Sequence, residues 1–175
     1  MPVAEGFIWV SPGDNGPDLE HGFTTGGVEA DIRITLFVLN GNGDPVVMYP
    51  FEDIWLESQN GGLAQCFGGT WPDASTDENG MTMFSGPFRA GGSNPNPEKI
   101  VVMIAGSPLV GSALPLYINS PDVNGDLVVN LSDISAMVIG LNGDYDWRFD
   151  FNHDGAINLS DIVIFAGCMG MNCNS

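Results

Sequence analysis

Near the C-terminal end, oxygen-bearing side chains recur at a fixed spacing. Residues 122–134 read DVNGDLVVNLSDI and residues 150–162 read DFNHDGAINLSDI. Both copies carry Asp, Asn, Asp, Asn and Asp at positions 1, 3, 5, 9 and 12. Repeated oxygen donors point to a hard cation. Calcium takes six to eight oxygens at ~2.3–2.6 Å, and a twelve-residue loop supplies them from positions 1, 3, 5, 7, 9 and 12. In the first copy these are Asp122, Asn124, Asp126, the carbonyl of Val128, Asn130 and Asp133. In the second they are Asp150, Asn152, Asp154, the carbonyl of Ala156, Asn158 and Asp161. The pattern predicts two Ca²⁺ sites. Each loop brings three carboxylates, so filling both would take the formal charge from −18 to about −14.

The two loops differ at position 6, where the chain needs a positive φ. Gly155 suits it and Leu127 does not. A side chain there costs ~1 kcal/mol, so the Asp150–Asp161 loop is expected to be the tighter site. Asp rather than Glu at position 12 shortens the reach to the metal. Position 8 is apolar in both copies (Val129, Ile157), as if the loops paired through a short strand contact. The sequons at Asn130 and Asn158 are set aside, because both asparagines fall on ligand positions.

Each loop must be held by the segment C-terminal to it. LSDISAMVIGL (131–141) and LSDIVIFAGCMG (159–170) carry apolar residues at helical spacing. The stripes are Ile134, Met137, Val138 and Leu141, then Ile162, Phe165 and Ala166. Ser or Asp at each start suits an N-cap, and Gly140 and Gly167 sit where helices tend to stop. Each repeat is therefore a polar loop and a short amphipathic helix.

The first two-thirds reads as β. Short apolar runs occur at 6–10, 31–39, 45–58, 63–67, 81–85, 99–106 and 114–118. Turn residues separate them: NGNGDP at 40–45, QNGG at 59–62, DENG at 77–80 and GGSNPNP at 91–97. Such punctuation without a helical period predicts an all-β sandwich. Pro50 marks a bend or an edge. Asn40, Asn42 and Asp44 mimic ligand spacing, but position 12 would be Phe51, so this is a hairpin turn. The expected fold is mainly β with a small α module, divided into 1–119 and 120–175.

Composition restricts partners. Four basic residues face 22 acidic ones. Phosphate surfaces need clustered Lys or Arg, so nucleic acid and anionic lipid are poor counterparts. Cations or a basic protein surface suit this charge better. No apolar run is long enough to span a membrane. One lysine and many Gly, Asn and Asp suit a secreted or cell-surface protein whose signal segment is not in this chain. Cys66, Cys168 and Cys173 cannot all pair. Cys168–Cys173, Cys66 with either, and three free thiols all stay open.

Two stretches resemble known families. TLFVLNGNGDPVVMYPFEDIWLES and ASTDENGMTMFSG are similar to the turn-and-strand wording of invasin-type bacterial immunoglobulin-like domains, over about residues 29–106. That resemblance implies a structural module without a catalytic site. The tail, residues 120–168, resembles dockerin modules. Both have two loop–helix calcium repeats, Asp at position 12 and DxNxDGxINxxD wording, with no helix before the loop. This resemblance implies a cohesin-like protein partner contacted through Leu131, Ser132, Leu159 and Ser160. The helices here read SAMVIG and VIFAGC, without the Lys-Arg pair frequent in cellulosomal dockerins.

Catalytic motifs are missing from the sequence. His21 reads as solvent-facing, and His153, at loop position 4, as a surface turn residue. The Glu52-Asp53 pair reads as solvated. Trp9, Trp55, Trp71 and Trp147 read as core, with a carbohydrate face as the alternative. The expected function is a non-catalytic, extracellular, calcium-stabilised assembly protein, self-assembling into a fibre or surface layer. The alternatives are a docking module for a cohesin-like receptor and a carbohydrate-binding sandwich with a docking tail. Almost no linker separates LPLYI from Asp122, so the junction is expected to be rigid. GFIWV, isolated by the long loop 11–28, is a candidate strand for a neighbour's sheet.

Overall fold

A computed structural model of the protein describes residues 5–94 and 98–175. Part of the GGSNPNP turn, 95–97, lies outside the described residues. So do residues 1–4, ahead of the expected donor strand.

The chain is mainly β with two short helices. The strands are β1 (Gly6–Trp9), β2 (Gly22–Phe23), β3 (Glu29–Ala30), β4 (Ile34–Phe37), β5 (Ile54–Ser58), β6 (Leu63–Gln65), β7 (Met81–Phe84), β8 (Ala90–Gly92), β9 (Ile100–Ile104), β10 (Ser107–Pro108) and β11 (Leu116–Asn119). The helices are α1 (Leu131–Asn142) and α2 (Leu159–Gly167). One sheet runs β11-β1-β2-β3 and another β10-β9-β5, joined by the pairs β4-β7 and β6-β8. β1 and β11 are parallel, from Gly6 opposite Leu116 to Trp9 opposite Asn119.

The sandwich core comes from alternation. Ile8, Ile54, Leu56, Phe84, Ile100, Val102 and Ile118 point inward and exclude solvent, while their neighbours along β5, β7 and β9 lie on the other, more exposed face. The run 45–58 forms a strand only over Ile54–Ser58. Met48 takes a positive φ of 56°, and a 3₁₀ turn at Phe51–Asp53 follows Pro50. Both break the extended pairing that composition alone suggested. The NGNGDP segment is a tight turn, its Asn40 carboxamide accepting from the N–H groups of Asn42 and Asp44.

GFIWV is not available to a neighbouring sheet. β1 lies between β11 and β2, paired on both edges. The isolation of this strand in sequence is reversed by a long-range parallel pairing, which no local signal announces.

Parallel strands require cover on both faces. Leu116 and Ile118 of β11 enter the sandwich core, while Tyr117 and Asn119 are also buried, on the opposite face. The tail covers that outer face. Trp9 joins a second apolar cluster with Val129, Met137, Phe149, Phe151 and Phe165. The Asn119 carboxamide donates to the carbonyls of Trp147, Arg148 and Asp150 at 3.2, 3.3 and 3.1 Å. The Gly92 N–H donates to the Asp122 carbonyl at 2.7 Å.

His153 is a correction to the sequence reading. It is buried, not a surface turn residue, with its ring 5.2 Å from Phe7, 5.6 Å from Phe23 and stacked on Trp147 at 6.4 Å. The aromatic face of β1 and β2 draws it in. His21 is exposed and pairs with Glu29 at 2.6 Å.

Cys66 and Cys173 form a disulfide across 107 residues, and Cys168 is a buried free thiol. The bond fixes the end of the tail to the sandwich, beside a hydrogen bond from Arg89 to the Cys173 carbonyl.

Two consequences can be measured. A disulfide closing so long a loop stabilises by roughly 2–5 kcal/mol. Cys173→Ser should lose that amount in urea unfolding, and an unchanged midpoint would show that packing alone holds the tail. Burial holds His153 neutral, its pKa pushed down from 6.5 to about 4. The folded pKa lies below the unfolded one. The contribution to stability is therefore complete above about pH 6.5 and lost as pH falls through about 4, a loss of roughly 3 kcal/mol. Urea unfolding between pH 7 and 4 should track this decline, and His153→Gln should flatten it. An equal slope in the variant would clear His153 of the effect.

Candidate metal centre

The loop residues are organised by turns of their own side chains. In the first loop the Asn124 side-chain oxygen accepts from the Asp126 N–H at 2.8 Å, Asp126 from the Val128 N–H at 3.0 Å, and Asn130 from the Ser132 N–H at 2.8 Å. Short Asn and Asp side chains curl back on the backbone two residues on. The second loop repeats the set: Asn152 accepts from Asp154 at 3.2 Å, Asp154 from Ala156 at 2.9 Å, and Asn158 from Ser160 at 2.8 Å.

Positions 1 and 12 close each ring. Asp122 accepts from the N–H groups of Gly125, Asp126 and Leu127 at 3.0, 3.2 and 2.8 Å. Asp133 reaches back to those of Val123 and Asn130 at 2.9 Å each. Asp150 accepts from Asp154 and Gly155 at 3.1 and 2.9 Å, and Asp161 from Phe151 and Asn158 at 2.7 and 2.8 Å. All four carboxylates are fully buried.

The helix starts also correct the sequence reading. The N-caps are Asn130 and Asn158, loop position 9, rather than Ser or Asp. Asp133 and Asp161 complete a capping box in each. Position 12 thus both ends the loop and opens the helix. Of the apolar stripes, Ile134, Met137, Ile162 and Phe165 turn inward, while Val138, Leu141 and Ala166 are exposed. Gly140 is inside α1, because Phe149 packs where its Cβ would stand, 2.4 Å from the nearest ring atom.

Val129 and Ile157 do not pair the two loops. Val129 exchanges hydrogen bonds with the C-terminal segment instead, its N–H donating to Met171 at 3.0 Å and its carbonyl accepting from Gly170 at 2.9 Å. Both residues still contribute to the same apolar cluster.

Strain is shared between the loops. Leu127 does take the left-handed conformation, φ 67°, and Gly155 φ 89°. Position 4 is left-handed as well: Gly125 at φ 70° and His153 at φ 55°. Each loop has one glycine and one strained side chain at these two positions, in exchanged order. The expectation of a tighter second site therefore loses its basis. Gly125 was the sequence signal for this second left-handed position.

The donor set fits a hard cation. All the donors are oxygens of Asp, Asn and carbonyl groups, which suits calcium rather than a soft metal. The ion pairs seen among the described residues lie elsewhere, at His21–Glu29, Arg33–Asp31 and Arg148–Asp146. Asn124 donates to Asp126 and Asn130 to the Val128 carbonyl, each at 3.1 Å. Carboxylates alone do not complete either cage. Among the described residues no three His, Cys, Asp or Glu side chains come together as a metal-binding group. Burial pushes the Asp122 and Asp161 carboxyls up, against the opposing pull of their backbone N–H partners. Tyr145, which the sequence did not single out, donates from its hydroxyl to Asp150 at 2.7 Å. Burial and that carboxylate raise its pKa well above the ordinary range.

No protein-family model matches the chain. No curated protein matches it. Among solved structures it is similar to a chain of a type II cohesin–X-dockerin complex from Acetivibrio cellulolyticus, an N-terminal interface mutant. Identity is 19%, with 81% of this chain and 97% of that one covered, at a TM-score of 0.29.

The raised carboxyls define a test. Without metal, Asp122 and Asp161 bind protons more tightly folded than unfolded. They therefore penalise folding increasingly as pH rises through their folded pKa values. A bound divalent cation removes that penalty. The gain in melting temperature from millimolar calcium over chelator should be larger at pH 7 than at pH 5, with His153 cancelling in the difference. An equal gain at both pH values would argue against metal at these carboxylates.

Proposed function

We propose that this chain is a non-catalytic, extracellular assembly subunit. Two Ca²⁺ ions hold its tail, and the tail binds a protein partner through the outer faces of α1 and α2. One observation carries this reading. Leu131, Ile139, Leu159 and Val163 are 75, 73, 71 and 64% exposed on those helices. Large apolar side chains on two adjacent repeats are costly to leave in water and mark an interaction surface.

The metal role rests on the donor set. Calcium would be held by Asp122, Asn124, Asp126, Val128, Asn130 and Asp133, and by Asp150, Asn152, Asp154, Ala156, Asn158 and Asp161. It would neutralise the buried carboxylates and thereby order the helix starts. The dockerin resemblance supports the same face, since Leu131, Ser132, Leu159 and Ser160 match the partner-contacting positions of that family. A cohesin-like sandwich is the favoured partner. A second copy of this chain is the alternative, but its proposed route through GFIWV is closed. The immunoglobulin-like sandwich then acts as the rigid body to which the docking face is fixed.

Light scattering in millimolar calcium and in chelator, with binding to immobilised cohesin domains measured alongside, tests this. Calcium-dependent binding should be lost in the double variant Ile139→Glu, Val163→Glu without a change in folding. Calcium-dependent particles lost in the same variant would assign the face to a second copy. Neither binding nor self-association in calcium would sink the proposal.

A further inference from the structure

The sandwich carries a second exposed feature, unrelated to the tail helices. A shallow pocket of about 300 Å³ is lined by Glu52, Trp55, Gln65, Phe67, Gly68 and Trp71, among others. Its rim is aromatic. Phe51 and Phe67 meet the Trp71 ring edge-on at 5.5 and 5.2 Å. Phe67 is 88% exposed, the most water-facing aromatic ring among the described residues.

The loop that presents Phe67 is held from several sides. Cys66 is in the disulfide, and its N–H donates to the Arg89 carbonyl at 3.0 Å. The Arg89 N–H donates to Gly69 at 2.9 Å, and the chains cross so closely there that a Cβ on Gly69 would meet the Arg89 carbonyl oxygen at 2.1 Å. The Thr70 hydroxyl lies between the Leu56 carbonyl and the Gln65 side-chain oxygen, 2.9 and 3.0 Å away, and its single proton is shared between them. A loop this constrained would bury Phe67 if its role were packing. It instead keeps the ring in water beside a carboxylate and a carboxamide.

We propose that this pocket binds a pyranose ring of a neutral polysaccharide. The face of an aromatic ring is negative and its edge positive. The C–H-rich face of a pyranose, slightly positive, therefore stacks on such rings, while its hydroxyls seek carboxylate and carboxamide groups. Glu52 supplies the carboxylate beside Phe67 and Trp71, while the Gln65 carboxamide, held by the Leu56 carbonyl and the Thr70 hydroxyl, fixes the wall of the pocket. A platform fixed by disulfide and hydrogen bonds loses little freedom on binding, which favours affinity for a small ligand. Pockets of this size accept a single ring and its substituents. A formal charge of −18 repels acidic glycans and leaves neutral ones. Sugar binding at this pocket does not depend on calcium docking and shares no residue with the helix face.

Affinity electrophoresis of the calcium-loaded full chain tests it, in native gels containing hydroxyethylcellulose, arabinoxylan, galactomannan or polygalacturonate. Migration should slow in at least one neutral gel and not in polygalacturonate. Phe67→Ala should weaken that retardation about ten-fold in apparent affinity, with its melting temperature unchanged because the ring is exposed. Ile139→Glu should leave it intact. Unretarded migration in all three neutral gels, or equal retardation of Phe67→Ala, overturns the proposal. So does a Phe67→Ala variant that changes only particle size, which would make the ring a protein contact.

Discussion

Buried negative charge without a basic partner is the constraint on which the tail depends. Asp122, Asp133, Asp150 and Asp161 are removed from water and, among the described residues, are satisfied by backbone N–H groups and, at Asp150, the Tyr145 hydroxyl. Those hydrogen bonds shape the loops, but neutral donors compensate incompletely for a desolvated carboxylate. Asp133 and Asp161 also complete the capping boxes that start the helices, and the Asp122 carboxylate lies against Gly91 of the sandwich. Any cation that neutralises them acts on loop geometry, helix initiation and tail packing together. This is why metal occupancy and tail order are coupled on our reading.

The second organising contact is the parallel pair β1–β11. Its inner face belongs to the sandwich core and its outer face to the tail cluster. The tail cannot be taken away without exposing Phe7, Trp9 and Tyr117, which pack against His153, the tail cluster and Trp147. Asn119 and the Cys66–Cys173 bond add directional and covalent links. The exposed helix faces are thereby fixed in orientation relative to the sandwich, unlike faces carried on a flexible linker.

Local signals in the sequence carried well where the physics is local. Donor spacing, Asn and Asp turns, and the two helix starts all depend on residues within a dozen positions of each other. The swapped glycines, Gly125 and Gly155, were equally local, yet only one was read, because position 4 of the second copy hides its left-handed backbone behind His153. The run 45–58 misled for a related reason. Its apolar residues fit a strand, but Met48 takes a positive φ that a strand does not tolerate, and Pro50, extended itself, has no N–H to give a ladder and leads into a 3₁₀ turn.

The sequence by itself determined the two oxygen-rich loops, the helix after each, the β character of the rest and the acidic balance. These are consequences of residue type and short-range spacing. Tertiary structure alone decided that GFIWV is an internal strand, that His153 is buried, that Cys66 pairs with Cys173, and which helix residues face out. Each of these depends on groups far apart in the chain being brought together, above all by the parallel closure of β1 on β11. Local spacing holds no record of that closure, because the free energy driving it comes from apolar surface shared between the two ends of the molecule.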